Sequence, residues 1–313
     1  MVEFPEVRLK AEHELAGKKL SELKGNGVSL LACDYDGTIF DRTNPNLGHK
    51  DSMDLAFLAD EKGIAFAVIS ARGATLDYEI TRLVPEMCRT KGQKMTLYKS
   101  SGNGMDLRKI DFDRSGITNE EVLYDNSMSL EEAMEVAEAY NKLRVSNPDP
   151  NAVKFFRKYL DSLQGFISQD FLDLARLFDG KLFAENVKVS VVLPTDPKER
   201  LVLVLKLRSE LGNNFSVGQT DLPFADITKK MSTDGKQLAA EKIMETLGIE
   251  PKNMGCFGDS PEGNDKGLLT FPYSFTNNQG MSKMDINHPP FVLPISGDKI
   301  ETVHRALKFL TSE

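Results

Sequence analysis

Asp34 and Asp36 stand two positions apart in the stretch LLACDYDGTIF, directly after the apolar run from Leu30 to Cys33 and directly before a glycine. If that run is a strand, its period of two sends both carboxylates to the same side of the strand end, into one cleft. Two carboxylates so close repel and raise one pKa unless a cation stands between them. Magnesium suits such a pair, because it is a hard ion that takes carboxylate and water oxygens and bridges to phosphate. Gly37 admits a close backbone approach, and Thr38 brings a hydroxyl or a backbone N–H to an anion. One carboxylate of the pair would attack phosphorus and form an aspartyl-phosphate, while the other protonates the leaving oxygen and later deprotonates water. A turn rich in aspartate and glycine is also a common way to leave a strand, so the pentapeptide needs companions.

Companions follow in order along the chain. VISARG closes another apolar run with Ser70, a small hydroxyl able to donate to a phosphoryl oxygen, and Arg72 follows as a second anion contact. Lys236 falls in the first turn of a helix that begins near Asp234, where its ammonium adds to the positive helix end as a phosphate site. CFGDS places Asp259 at the end of a further apolar run as a third carboxylate for the metal, with Asn264 and Asp265 shortly after.

These residues need rigid elements behind them. Apolar runs bounded by turn residues recur at 28–37, 64–73, 95–104 and 254–263, and runs apolar on both alternating faces fit strands covered on both sides, as in a parallel sheet. Helical patterns lie between them. The segment 51–63 has a capping aspartate and a terminal glycine, and 232–248 has Ser232, Thr233 and Asp234 ahead of an apolar stripe that stops at Gly248. Alternating strands and helices predict an open α/β sheet whose ligands bind beyond the carboxyl ends of the strands, where Asp34, Ser70 and Asp259 all fall. The middle of the chain offers helices at 129–144, 151–163 and 168–178, a strand at 186–193 and a helix at 197–212, enough for an inserted α/β module, with NPDPN at 147–151 as a loop inside it.

Bulk properties narrow the class. A chain of 313 residues suits a core plus a second module, and 40% hydrophobic with 27% charged residues argues against disorder and fibrous repeats. A net charge of -8 disfavours general nucleic-acid or anionic-membrane binding, which needs a basic footprint. The first twenty residues are charged throughout and no apolar run reaches membrane-span length, so the expected location is cytoplasmic. Cys33, Cys88 and Cys256 lack CxxC spacing and read as buried inert thiols. His13, His49, His288 and His304 form no ligand cluster and read as surface or loop residues, and the glycines make neither a GxGxxG nor a P-loop. Glu131, Glu132, Glu135 and Glu138 read as the solvated face of a helix.

The set of Asp34, Asp36, Ser70, Lys236 and Asp259, each at its own strand end or helix start, resembles the haloacid dehalogenase superfamily of phosphohydrolases. The long insertion between Ser70 and Lys236 resembles the group with a large C2-type cap, which includes Cof-like and sucrose-phosphatase-like members. The resemblance implies a Rossmann-like open parallel sheet core, residues 1–106 and 225–313, with an inserted α/β cap at 107–224. It implies Asp34 as nucleophile, Asp36 as general acid/base, and Ser70 and Lys236 as phosphoryl contacts. Magnesium would be held by Asp34, Asp259 and the Asp36 main-chain carbonyl. SSGNG at 100–104 is similar to the family's asparagine-glycine turn, which adds Asn103, and ENVKVSVVL is similar to a cap strand, which puts Lys188 or Ser190 near the leaving group.

One departure stands out. The family pattern GDxxND is here GDSPEGND, with Asn264 and Asp265 two residues late. Either 261–263 bulge outward and return that pair to the metal's outer shell, or Ser260 or Glu262 takes over part of the role. The resulting expectation is a magnesium-dependent phosphatase, monomer or homodimer, acting on a small phosphomonoester such as a sugar phosphate. The alternatives are a sugar phosphomutase, a phosphoprotein phosphatase and a non-catalytic binding protein on the same fold.

Overall fold

The computed structural model describes residues 5–41, 44, 47–219, 223–279, 287–295 and 298–312. In chain order the elements are α1 (Pro5–Asn26), β1 (Leu30–Cys33), α2 (His49–Glu61), β2 (Ala65–Ile69), α3 (Ala74–Lys91), β3 (Met95–Ser100), β4 (Asp106–Asp113), β5 (Gly116–Asp125), α4 (Leu130–Lys142), α5 (Pro150–Ser162), α6 (Gln169–Leu177), β6 (Leu182–Glu185), β7 (Lys188–Val192), α7 (Pro197–Leu211), β8 (Phe215–Gln219), β9 (Phe224–Lys229), α8 (Gly235–Leu247), β10 (Met254–Gly258), β11 (Ser274–Thr276), β12 (Phe291–Val292) and α9 (Lys299–Thr311). They form two compact units, one of Met1–Ala71, Glu79–Tyr124 and Thr233–Glu313, the other of Arg72–Tyr78 and Asp125–Ser232.

The first unit is built on an eight-stranded sheet in the order β12-β11-β10-β1-β2-β3-β4-β5. From β12 to β3 the strands are parallel, and β4 turns back antiparallel on β3. Every residue of β1 is buried, which is why its sequence is apolar without alternation. On one face Leu30 and Ala32 pack with Ala67, Ile69 and the Ala239, Ala240, Ile243 and Met244 stripe of α8. On the other, Leu23 of α1 and Leu31 close over the bare Cα of Gly255. Helix α8 starts at Asp234, whose carboxylate accepts the N–H groups of Lys236 and Gln237, and stops at Gly248 in the left-handed conformation. Helix α2 begins two residues before Asp51, which caps from inside the first turn by accepting the Gly48 N–H.

The second unit has an antiparallel sheet in the order β6-β7-β9-β8. Val189, Val191, Ala225 and Ile227 alternate onto one face and share a core with Val136, Phe156, Leu172 and Leu203 from α4 to α7. The intervening residues of β7 and β9 are polar: Lys188 Nζ lies 2.9 Å from Asp226 Oδ2, and Ser190 Oγ donates to the same carboxylate. Glu185 accepts the Ala74 N–H at the start of α3, and burial pushes its carboxyl up to about 7. Glu131, Glu135 and Glu138 face solvent on α4.

Two boundaries differ from the sequence expectation of a module at 107–224. Residues 106–125 belong to the first sheet, because β4 pairs with β3 in a register that buries Leu107, Ile110 and Phe112. At the other end β9 pairs with both β7 and β8, so the second unit continues to Ser232. No helix among the described residues is long and apolar enough to cross a membrane.

One close approach joins the SSGNG turn to α8. Gly104 has φ of 86°, and a Cβ there would sit 2.1 Å from the Gly235 carbonyl carbon. Gly104→Ala therefore combines a left-handed backbone with a backbone clash and should cost about 2 to 4 kcal/mol of stability. Urea denaturation checks this, and a loss below about 0.5 kcal/mol, the size of an ordinary surface substitution, would contradict the packing described.

Candidate active site

Adjacent parallel strands deliver the two outer carboxylates. Asp34 follows β1 and extends the ladder through its N–H to Phe257 O at 2.9 Å, while Asp259 follows β10. From α8, Lys236 Nζ reaches Asp34 Oδ1 and Asp265 Oδ1 at 2.6 Å each. Lys236 and Asp265 are fully buried and Asp34 is 3% exposed. One carboxylate oxygen from each of Asp34, Asp259 and Asp265 lies within 4.8 Å of the others. Thr38 Oγ1 donates to Asp34 Oδ2 at 3.2 Å, so both oxygens of Asp34 are oriented. Gly37, at φ of 77°, leaves room for this arrangement, since a Cβ there would lie 2.4 Å from Asp259 Oδ2.

Asp36 is half-buried and lines a cleft of 460 Å³ with Gly37, Phe40, Asp259, Asn277 and Asn278. Ser70 is buried just past β2, its N–H bonded to Ser100 O and its carbonyl accepting from Asn103 N, each at 2.9 Å. Asn103 holds φ of 61° between two glycines, and its buried Oδ1 has no hydrogen-bond partner. Of the expected site residues, the structure thus joins Asp34, Thr38, Lys236, Asp259 and Asp265 in one cluster and pairs Ser70 with Asn103. Arg72 and Lys188 belong to the other unit, Arg72 buried at its first segment and Lys188 beside Asp226.

The lengthened GDSPEGND loop matches neither expected form in full: only Asp265 of the Asn264–Asp265 pair returns to the cluster. Glu262, Gly263 and Asn264 are exposed, and a turn closed by Gly263 N and Asp265 N on Ser260 O returns Asp265 to the interior. There Asp265 Oδ2 accepts the N–H groups of Asp259 and Ser260 at 2.9 Å each. Asn264 stays on the solvent side and does not join the cluster.

Burial, and then the neighbouring Asp265 carboxylate, raise the Asp34 carboxyl above the usual range against the pull of Lys236. Asp259 is raised by the same two causes in the same order. Burial works against the Lys236 ammonium, yet Asp265 and Asp34 together hold it above the ordinary lysine value. Three close carboxylates facing a single ammonium leave excess negative charge in a dry place. Hard oxygen donors with that imbalance fit a small divalent cation such as magnesium, which Asp34, Asp259 and Asp265 would hold.

Several positioning groups carry no motif. Asn277 Nδ2 donates to Gly37 O at 2.9 Å and Asn278 Nδ2 to Asp259 O at 3.2 Å, tying both carboxylate loops to the end of β11. The only hint in the sequence is an asparagine pair following the short run SFT. His304 is no surface residue: it is 5% exposed on α9, with Nε2 on Ile39 O at 2.7 Å. Its neighbours in the sequence look like an ordinary amphipathic helix, which hides that contact.

No family profile matches the chain, and no curated protein matches it. Solved structures do. A HAD/COF-like hydrolase from Plasmodium vivax is similar over 93% of this chain and 98% of its own, with TM-score 0.60 and 21% identity. A phosphatase of the haloalkanoate enzyme superfamily from Bacteroides thetaiotaomicron is similar over 91% of this chain and 96% of its own, with TM-score 0.56 and 14% identity. A haloacid dehalogenase-like hydrolase from B. subtilis has TM-score 0.56 and 14% identity over 90% of this chain and 99% of its own. The chain has the fold of the haloacid dehalogenase-like hydrolases, the resemblance that its motifs carry.

Replacing Lys236 by Met leaves the buried carboxylates without their cation. The Asp34 and Asp259 carboxyls are raised above their unfolded values, so the folded state binds more protons and its stability falls as pH rises above about 4. Lys236→Met should therefore lose about 3 to 5 kcal/mol near pH 8 and distinctly less near pH 5, where the carboxyls take up protons. Denaturation at both pH values checks this, and an equal loss at each would contradict the charge balance described.

Proposed function

We propose that this protein is a magnesium-dependent phosphatase that hydrolyses a small phosphomonoester, a sugar phosphate being the class favoured, through an aspartyl-phosphate on Asp34. The observation that carries the reading is the position of Lys236, 2.6 Å from both Asp34 and Asp265 with no exposed surface. A buried ammonium held between two carboxylates favours the ionised form of Asp34 and aims it, and its charge meets that of an incoming phosphoryl group. The names of the fold neighbours, hydrolases and phosphatases, agree with it.

In this reading an Asp34 oxygen attacks phosphorus in line with the leaving oxygen. Asp36, on the cleft side, gives that oxygen its proton and then takes one from the water that attacks the phosphoaspartate. Ser70 and Asn103 contact phosphoryl or substrate oxygens, and the unpartnered Asn103 Oδ1 is a buried acceptor available for a substrate hydroxyl. Magnesium, when bound by Asp34, Asp259 and Asp265, supplies charge neutralisation for the transferring group. Asp265 holds Lys236 in place and fixes the Asp259 loop. Arg72 and Lys188 enter through the sequence resemblance alone.

The test is phosphate release from sugar phosphates, nucleotides, phosphopeptides and p-nitrophenyl phosphate, with magnesium and with EDTA. Asp34→Asn should abolish release. Asp36→Asn should lower sugar phosphate turnover by about 100-fold or more, the usual weight of a general acid/base. Because nitrophenolate needs no proton to leave, the same variant should still give a first-turnover burst of nitrophenolate before stalling. Magnesium-independent release, or full activity of Asp34→Asn, would overturn the proposal.

A further inference from the structure

Asp36 lines the cleft and Asp34 turns inward to Lys236, while the residue between them does not line the cleft. That residue is Tyr35, 1% exposed, and what it meets belongs to no motif. Its hydroxyl lies 2.7 Å from His49 Nδ1, and the same nitrogen lies 3.1 Å from Glu79 Oε2 on α3. The Tyr35 hydroxyl and His49 Nδ1 thus share one hydrogen bond, and the Glu79 carboxylate stands against the same nitrogen. The rings stack as well. The His49 ring lies 3.9 Å from Phe40 and 5.9 Å from Tyr35, and Tyr35 lies 5.1 Å from Phe40, all with planes within about 12° of parallel.

Phe40 closes the loop that Tyr35 opens: Tyr35 O accepts the N–H groups of Ile39 and Phe40, and Gly37 N donates to Phe40 O. His49 therefore grips both ends of the segment that carries Asp36, Gly37 and Thr38. The backbone of that segment is held elsewhere by Asn277 on Gly37 O and by Ser52 and His304 on Ile39 O. The stacked histidine holds the side chains at its two ends, Tyr35 and Phe40.

We propose that His49, oriented by Glu79, is a positioning residue for the reaction: it clamps Tyr35 and Phe40 so that the carboxylates of Asp34 and Asp36 stay in register. This rests on the phosphatase reading for its kinetic consequence, while its structural content stands apart from it. Misplacing a reacting group by a fraction of an ångström lowers turnover without changing how the ground state binds.

The experiment compares wild type, His49→Phe, Tyr35→Phe and the double variant, all of which retain stacked rings. Steady-state kinetics are read on p-nitrophenyl phosphate with saturating magnesium, and amide hydrogen exchange is read over residues 34–41 and over α8. His49→Phe should lower kcat about 10-fold with KM within about twofold. Tyr35→Phe should do the same, and the double variant should be no worse than the poorer single one, because both remove one interaction. Exchange over 34–41 should quicken in His49→Phe while α8 is unchanged. Unchanged kcat and exchange in His49→Phe, or single effects that multiply in the double variant, would overturn the clamp. If wild type releases no phosphate from any ester, the phosphatase reading fails and the exchange comparison alone decides the clamp.

Discussion

A lysine with no exposed surface, held at 2.6 Å by two carboxylates, is the constraint on which the rest of the site depends. Removing an ammonium from water is costly and is tolerated only where opposite charge and good geometry meet it. Here the geometry comes from three unrelated segments: the end of β1, the first turn of α8 and the loop after β10. The same contact then creates the opposite problem, because Asp259 adds a third carboxylate beyond the two, Asp34 and Asp265, that hold Lys236. The surplus negative charge suits a hard cation together with a phosphoryl group, so the buried ion pair sets up the chemistry assigned to the cleft.

The fold makes this affordable through rigidity in the backbone. Asp34 is an extension of the central strand, and Lys236 is fixed from the N-cap of its own helix by Asp234. Glycines stand where two segments must nearly touch: Gly37 against Asp259, and Gly104 against Gly235. The asparagines after β11 and the stacked histidine behind Tyr35 bind the remaining loops. Preorganisation of this kind matters more to transfer of a charged group than any single contact does.

The strand ends were legible in the sequence because a buried parallel strand has no alternation to hide behind, and a polar residue at its end is conspicuous. That is why Asp34, Ser70 and Asp259 fall where the apolar runs stop. Lys236 was legible through its capping aspartate. Asp265 was ambiguous because the turn on Ser260 O that leaves 262–264 exposed has no signature beyond proline and glycine. The boundary of the second unit was misplaced for a similar reason. β5 is exposed along most of its length and gives no buried face to read, so only the register of β4 with β3 assigns the hairpin to the first sheet. His49 and His304 looked solitary because their partners lie at distances of 14 and 265 residues along the chain.

In the proposed function Asp34, Asp259 and Asp265 hold a divalent cation, with Asp265 brought to the cluster by the turn on Ser260 O. Calorimetric titration of the metal-free protein with magnesium tests it without any substrate. Saturable binding at a single site is expected, lost in Asp259→Asn and retained in Glu262→Gln, whose side chain is exposed. Absence of binding to the wild type, or loss of binding in Glu262→Gln with Asp259→Asn unaffected, would contradict it.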